Sequence, residues 1–208
     1  MKTAQCQAIV LSTLNYGESD RIVSLFTLEH GRLRGFAKSA RASRKRFGGL
    51  LEPTNHLQLQ LQLKDEGLSR IERVESTGYL SSLREPLESL ALALYACELV
   101  EMLTPEGHPL PRLYRLLSAL IEYLAVQPAR PEDRCFFEIN LLNVLGYRPL
   151  LDDQRLQSLS RCLKTGTIGS ITFSDAELLA ARRLLEQEIN SHCPCRLKSR
   201  MFLDECVK

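Results

Sequence analysis

The chain has 208 residues, 44% of them hydrophobic and 25% charged, with 27 Lys and Arg against 25 Asp and Glu. That composition supports a packed globular core, and the length suits one large domain or two small ones. No stretch approaches the ~20 uninterrupted apolar residues that span a bilayer. The N-terminal MKTAQCQAIV has no long apolar run and no small-residue cleavage site. A cytoplasmic protein without a membrane segment is therefore expected.

Residues 1–80 carry the pattern of β-structure. Short runs rich in Ile, Val, Leu and Phe fall at 6–14, 22–27 and 32–37, punctuated by Tyr16-Gly17 and His30-Gly31. The clearest strand is His56–Leu63, where Leu57, Leu59, Leu61 and Leu63 alternate with Gln58, Gln60 and Gln62. A period of two gives one dry and one wet face. Lys64-Asp65-Glu66-Gly67 then supplies a polar turn before a fifth strand at 68–75. Five short strands with a longer third connection match a small Greek-key barrel of the OB type, with an SH3-like barrel as the competitor.

The longer connection is basic. Between His30 and Leu51 lie Arg32, Arg34, Lys38, Arg41, Arg44, Lys45 and Arg46, seven cations with no Asp or Glu among them. Without them the balance is 20 basic to 25 acidic, so the remaining body is acidic. A concentrated positive field on an acidic body is the footprint of a polyanion partner. All seven are candidate nucleic-acid contacts, beside Phe47 and the mobile pair Gly48-Gly49. A solvated loop is the plain alternative. Cations at phosphates carry no sequence information, so the expected binding is sequence-tolerant and salt-sensitive.

Residues 81–208 carry helical periodicity, with the change of domain near 78–86. Leu87, Leu90, Leu94, Cys97 and Val100 fall at three- and four-residue steps, in a segment broken by Glu88, Glu98 and Glu101. Leu113, Leu116, Leu117, Leu120, Ile121 and Leu124 make a second face, bounded by prolines. Pro131 opens a third helix, which Gly146 should end. Ser174-Asp175-Ala176-Glu177 is a capping box before a further helix.

No catalytic constellation is present: phosphate-loop, dinucleotide, zinc-protease and nucleophile-elbow motifs are all missing. No catalytic residue is assigned and no enzyme is expected. Cys6, Cys97 and Cys135 stand alone in apolar surroundings, as small buried hydrophobes do. An odd total of seven cysteines without a secretory signal argues against a disulfide framework. His192-Cys193-Pro194-Cys195 has ligand chemistry, but its C-x-C spacing is tighter than zinc sites use, and Cys162 and Cys206 match no zinc-ribbon spacing.

The segment QAIVLSTLNYGESDRIVSLFTLEHGRLRGFAKSARASRKR resembles the N-terminus of the RecO family of bacterial DNA repair proteins. The shared features are an A-I-V-L strand at 8–11, Y-G-E-x-D at 16–20, L-F-T-x-E-x-G at 25–31 and A-K-x-A-R at 37–41. Likeness continues through Glu52-Pro53, L-G-Y-R-P at 145–149 and L-K-S-R at 197–200. The resemblance implies an α+β protein, with an N-terminal OB-fold barrel (1–80) followed by a mainly α-helical domain (81–208). It implies binding of single- and double-stranded DNA, annealing of complementary strands, and no catalytic turnover. It further implies work with RecR, and in many bacteria RecF, to load RecA onto DNA coated with single-strand-binding protein. The acidic tail of that protein, ending in Phe, would meet the helical domain. Arg112 and Arg115 on one helix and Arg130 and Arg134 on the next are candidates to hold it, with a leucine-lined groove between.

There is one departure from the family. Many members insert a four-cysteine zinc module after the G-Y-x-P segment, whereas residues 150–173 here contain only Cys162. A degenerate, metal-free loop at about 149–173 is expected, with no metal site and no cofactor. Two other readings stay open: an OB-fold RNA-binding or translation-associated protein, and a thiol redox protein acting through Cys193 and Cys195.

Overall fold

The computed structural model describes residues 2–43, 47–64, 67–78, 86–193 and 195–206. Five strands come first: β1 (Lys2–Tyr16), β2 (Asp20–Thr27), β3 (Gly31–Ala37), β4 (His56–Leu63) and β5 (Ser69–Gly78). They close in the order β1-β2-β3-β5-β4, with β4 returning to β1. Only the β3–β5 pair is parallel. This is the five-stranded barrel expected of an OB fold. Leu57, Leu59 and Leu61 of β4 point into the barrel beside Cys6, Val10, Val23, Leu25 and Ile71, while Gln58 and Gln60 stay half-exposed. Strand alternation thus made β4 legible residue by residue. Of the turn after β4, Asp65 and Glu66 lie outside the described residues, as does most of the expected domain boundary at 78–86.

Plain alternation lets β1 serve two cores: Ala8 and Val10 face the barrel interior, whereas Ile9 and Leu11 turn outward with Phe26 and join the helical core. A β-bulge follows between Val10 and Ser12.

The helices are α1 (Leu87–Leu103), α2 (Pro111–Leu124), α3 (Pro131–Leu145), α4 (Gln157–Thr165), α5 (Asp175–His192) and α6 (Lys198–Cys206), with a 3₁₀ turn at Gln154–Leu156 before α4. Pro111 and Pro131 each occupy a first helical turn, where the missing N–H costs nothing. Gly146 ends α3 at φ 83°, a left-handed conformation that favours glycine. The capping box is formed: Ser174 accepts from the Glu177 N–H, and the Glu177 carboxylate accepts from the Ser174 N–H at 2.9 Å.

Three elements differ from expectation. First, α1 is not amphipathic but central. Its buried residues include Ala91, Leu92, Tyr95, Ala96, Leu99 and Val100 over most of its circumference, whereas Leu87, Leu90 and Leu94, from the expected apolar face, lie on the one stripe that is not buried, Leu87 at 50% exposure. The helix packs on β1, α2 and α6 at once. Each fully buried Leu or Val there contributes about 1.5–3 kcal/mol. Its acids are ties between elements: Glu101 accepts from Ser12 Oγ at 2.9 Å, and Glu98 accepts from the N–H groups of Lys198 (3.0 Å) and Ser199 (2.8 Å). A carboxylate at a helix N-terminus satisfies its orphan donors and its dipole, so Glu98 caps α6.

Second, residues 149–173 are not simply a loop. They contain the 3₁₀ turn and α4, whose Leu159 and Cys162, with Leu156 before them, are buried in the helical core. Third, the tail forms α6, where no helix is expected from the sequence. Among the described residues no helix is long and apolar enough to cross a membrane.

Candidate nucleic-acid interface and partner groove

Alternation along β3 sends Leu33 and Ala37 inward and Arg32, Arg34 and Phe36 outward. The register sets Phe26 beside Arg32, Ser24 beside Arg34 and Ile22 beside Phe36, with Arg70 of β5 beside Phe36 on the other edge. Arg34, Lys38 and Arg70 are exposed, and among the described residues none of the three has an ion-pair partner. Three cations with no acid holding them form a positive strip on one barrel face.

Arg41 is exposed at the end of this strip. Its Nη1 donates to the carbonyls of Glu18 (2.9 Å) and Gly17 (3.5 Å), and its backbone N–H donates to Ser19 O, so it is laid against the β1–β2 turn. Carbonyls orient a guanidinium without cancelling its charge, so Arg41 remains available to an anion. The Asp20 carboxylate is taken up by the Ser39 N–H at 2.7 Å and by Ser19 Oγ at 3.2 Å.

Arg32 differs from Arg34, Lys38 and Arg41. Its Nε donates to the Thr104 carbonyl at 2.9 Å and its Nη1 pairs with Glu106 at 3.2 Å, with the side chain 18% exposed. The Gly107 N–H in turn donates to the Arg32 carbonyl at 2.9 Å. Arg32 therefore joins the barrel to the segment between α1 and α2. Arg44, Lys45 and Arg46 lie outside the described residues.

Sequence reasoning missed four members of this face. Tyr16 and Leu14, from the end of β1, are 55% and 62% exposed. Tyr16 meets Phe36 edge-on, with ring centroids 6.1 Å apart and planes at 85°. Such T-shaped pairs are a preferred aromatic arrangement. Tyr16, Phe36 and Arg70 come together only through the pairing of β1, β2, β3 and β5. The exposed aromatic of the Y-G-E-x-D turn was the one local signal.

The four arginines proposed for the helical domain do not share a groove. Arg112 and Arg115 are exposed on α2 and line a groove of about 540 Å³ with Leu116, Tyr123, Phe136 and Ile168. Arg115 Nε is held by the Pro111 carbonyl at 3.1 Å. Leu113, Leu117 and Leu120, expected to line the groove, are buried in the core instead. Arg130 and Arg134 line a separate pocket of about 260 Å³ with Arg182 and Asp204. Arg130 pairs with buried Asp133 at 3.1 Å. Arg134 is bound by Glu138 and Asp204, both at 2.9 Å, and stands 4.9 Å over the Tyr95 ring. Its guanidinium is a core component, already paired.

The cysteines are all free. Burial pushes the thiols of Cys6 and Cys97 up to about 12 and that of Cys162 up to about 11. Those three are held as neutral hydrophobes. Cys162 sits in the helical core, while Cys195 is exposed beyond α5, where the Cys193 thiol donates to the Cys195 carbonyl at 3.2 Å. His192 stacks on Tyr147 with centroids 3.9 Å apart. Among the described residues no three His, Cys, Asp or Glu side chains gather as a metal site would need.

A closed OB barrel followed by a helical bundle defines a class: two-part proteins whose barrel presents one polar, cationic face. Sequence comparison specifies the family. Residues 1–80 match the family model described as Recombination protein O N terminal, and residues 84–156 match Recombination protein O C terminal. The DNA repair protein RecO of Pelobacter propionicus is 44% identical over 98% of this chain and 97% of its own. That of Geobacter sulfurreducens is 39% identical, over 98% of each chain, and that of Geobacter metallireducens 36%, over 99% and 98%. The chain belongs to the RecO family, and its role lies in DNA recombination and repair. The alignments with these three run to 238–241 positions, more than the 208 residues here, so the relatives carry inserted residues that this chain lacks.

Proposed function

We propose that this protein is a non-enzymatic mediator of recombinational repair. It binds single- and double-stranded DNA on the barrel, anneals complementary strands, and acts with RecR to help load RecA onto DNA coated with single-strand-binding protein. RecF is a further partner in the same pathway, and the work takes place in the cytoplasm at the nucleoid. The observation that carries the DNA-binding reading is the strip Arg34, Lys38, Arg41 and Arg70, exposed and without acidic partners among the described residues. Arg44, Lys45 and Arg46 extend the same charge in sequence. Such a strip neutralises phosphates without reading bases, which suits an annealing protein that must accept any sequence.

On the helical domain, the groove of Arg112 and Arg115 fits the acidic, Phe-ended tail of single-strand-binding protein. Leu116, Tyr123, Phe136 and Ile168 offer an apolar seat for a ring, and the two guanidiniums offer forks for carboxylates. The deciding experiment is annealing of complementary oligonucleotides pre-coated with single-strand-binding protein. The protein should accelerate duplex formation, and more so with DNA than with RNA strands of the same sequence. Equal or greater acceleration with RNA would favour an RNA-binding role. Loss of annealing on alkylation of Cys193 and Cys195 would favour a thiol-based one.

A further inference from the structure

The outer face of β1–β2–β3 carries two apolar clusters separated by a row of Ser12, Ser24 and Arg34, and the helices cover only one of the clusters. Ile9, Leu11 and Phe26 are buried under the helical domain. Leu14, Tyr16, Ile22 and Phe36 continue the same face beyond the cover, two of them more than half exposed. A cluster of exposed apolar side chains, in one patch with a polar rim, marks a contact surface. The rim here is cationic. Arg34 precedes Phe36 by two residues on β3, about 6.7 Å along the strand, Lys38 follows just past the end of the strand, and Arg70 stands across the parallel pair.

We infer that Tyr16 and Phe36 form a base-stacking platform by which the barrel selects single-stranded over duplex DNA. This rests on the DNA-binding reading and adds the chemical group that is recognised. Flat apolar rings flanked on the β3 side by Arg34, Lys38 and Arg70 suit a ligand with flat apolar faces on a polyanionic backbone. A single-stranded nucleic acid has both. Each base has a π-face, so stacking tolerates any sequence. In a duplex the bases are already stacked and paired, and only the phosphates reach the cations. The edge-on contact leaves the exposed Tyr16 ring free to take a base, with Phe36 as its support.

The test compares three ligands at fixed salt: an oligothymidylate, a strand of equal length made of abasic sites, and a duplex. The intact chain should bind the base-bearing strand roughly 5- to 100-fold more tightly than the abasic one, the range for one stacked base. Tyr16→Ala should bring that ratio toward one, with duplex affinity and the salt dependence unchanged, because no phosphate contact is lost. Tyr16→Trp should keep the ratio. Equal affinity of the unmodified protein for base-bearing and abasic strands would overturn the platform while leaving phosphate binding intact, and it needs no variant to fold. Equal weakening on both strands by a folded Tyr16→Ala variant would also overturn it, because the loss would not depend on the base. No binding to any of the three would overturn the DNA-binding reading itself.

Discussion

His56 opens β4 with its side chain 7% exposed, and among the described residues its Nε2 has no hydrogen-bond partner. Burial lowers its pKa below the ordinary 6.5, and the carboxylate of Glu122 offsets this only in part. The folded chain therefore resists a proton that the unfolded chain accepts near pH 6.5. Between the folded value and 6.5 the unfolded state binds more protons, so stability rises with pH through that window and is lost on acidification. Thermal midpoints measured from pH 7.5 to 5.5 should fall, and His56→Gln should flatten the slope. Superimposable slopes would assign the dependence to another group. Glu138 presents the opposite problem, a buried charge that is satisfied. It accepts from Tyr95 Oη at 2.5 Å and from Arg134 Nε at 2.9 Å. Glu138→Ala would leave the Arg134 guanidinium buried with only the half-exposed Asp204, a loss of about 3–5 kcal/mol. Urea denaturation reads this directly; a loss below about 1 kcal/mol would mean that the network relaxes around the gap.

Among the elements, the β2–β3 turn shows how one residue fixes the relation between barrel and helices. Gly31 has φ +68°, and a β-carbon there would collide with the backbone carbonyl of His108. Neither a side chain in the left-handed region nor a carbonyl against it is tolerated cheaply, and strain of the first kind alone costs of order 1–3 kcal/mol. Gly31→Ala should lower the denaturation midpoint and separate barrel from helices, read as earlier hydrogen exchange of the Gly107 N–H that donates to Arg32. An exchange rate equal to that of the parent would exclude this role. Elements with a wet side were readable in the sequence: β4 through its Leu–Gln alternation, α5 through its capping box, α3 through Pro131 and Gly146. The face of α1 was not, because its least buried stripe begins with Leu87, Leu90 and Leu94 and is as apolar there as its buried side. The N-terminal cap of α6 comes from Glu98, 100 residues upstream, which no local pattern can announce. The candidate site divides the same way. The charge of Arg34, Lys38 and Arg41 was visible as a run without acids, whereas Tyr16 with Phe36, and Arg70 beside them, required the strand pairing.

Across the whole molecule, the barrel cations among the described residues fall into two populations with different measurable signatures. Exposed, unpaired Arg34, Lys38 and Arg70 should each release counterions on binding. Replacing all three by Ala should lower the log–log salt slope for single-stranded DNA by about 0.7 per residue, with little change in stability. Arg32→Ala should do the reverse, since its guanidinium is spent on Thr104 and Glu106: lower stability, unchanged slope. An equal fall in slope from both variants would return Arg32 to the interface. The arginines of the helical domain separate by the same logic. Arg112 and Arg115 are exposed beside an apolar groove, so reversing both to Glu should leave the fold intact. It should also weaken an acidic, Phe-ended tail peptide roughly tenfold or more for each charge-assisted hydrogen bond lost. Removing the Phe from the peptide should weaken it against the parent protein as well, because the ring is what the groove of Leu116, Tyr123 and Phe136 accepts. Arg130 and Arg134 are already paired with Asp133, Glu138 and Asp204, so reversing them places acid against buried acid and should unfold the domain rather than release the peptide selectively. Fluorescence anisotropy with a labelled peptide, run beside circular dichroism, separates the two. Undiminished binding by the folded Arg112→Glu, Arg115→Glu protein would place the tail elsewhere on the helical domain.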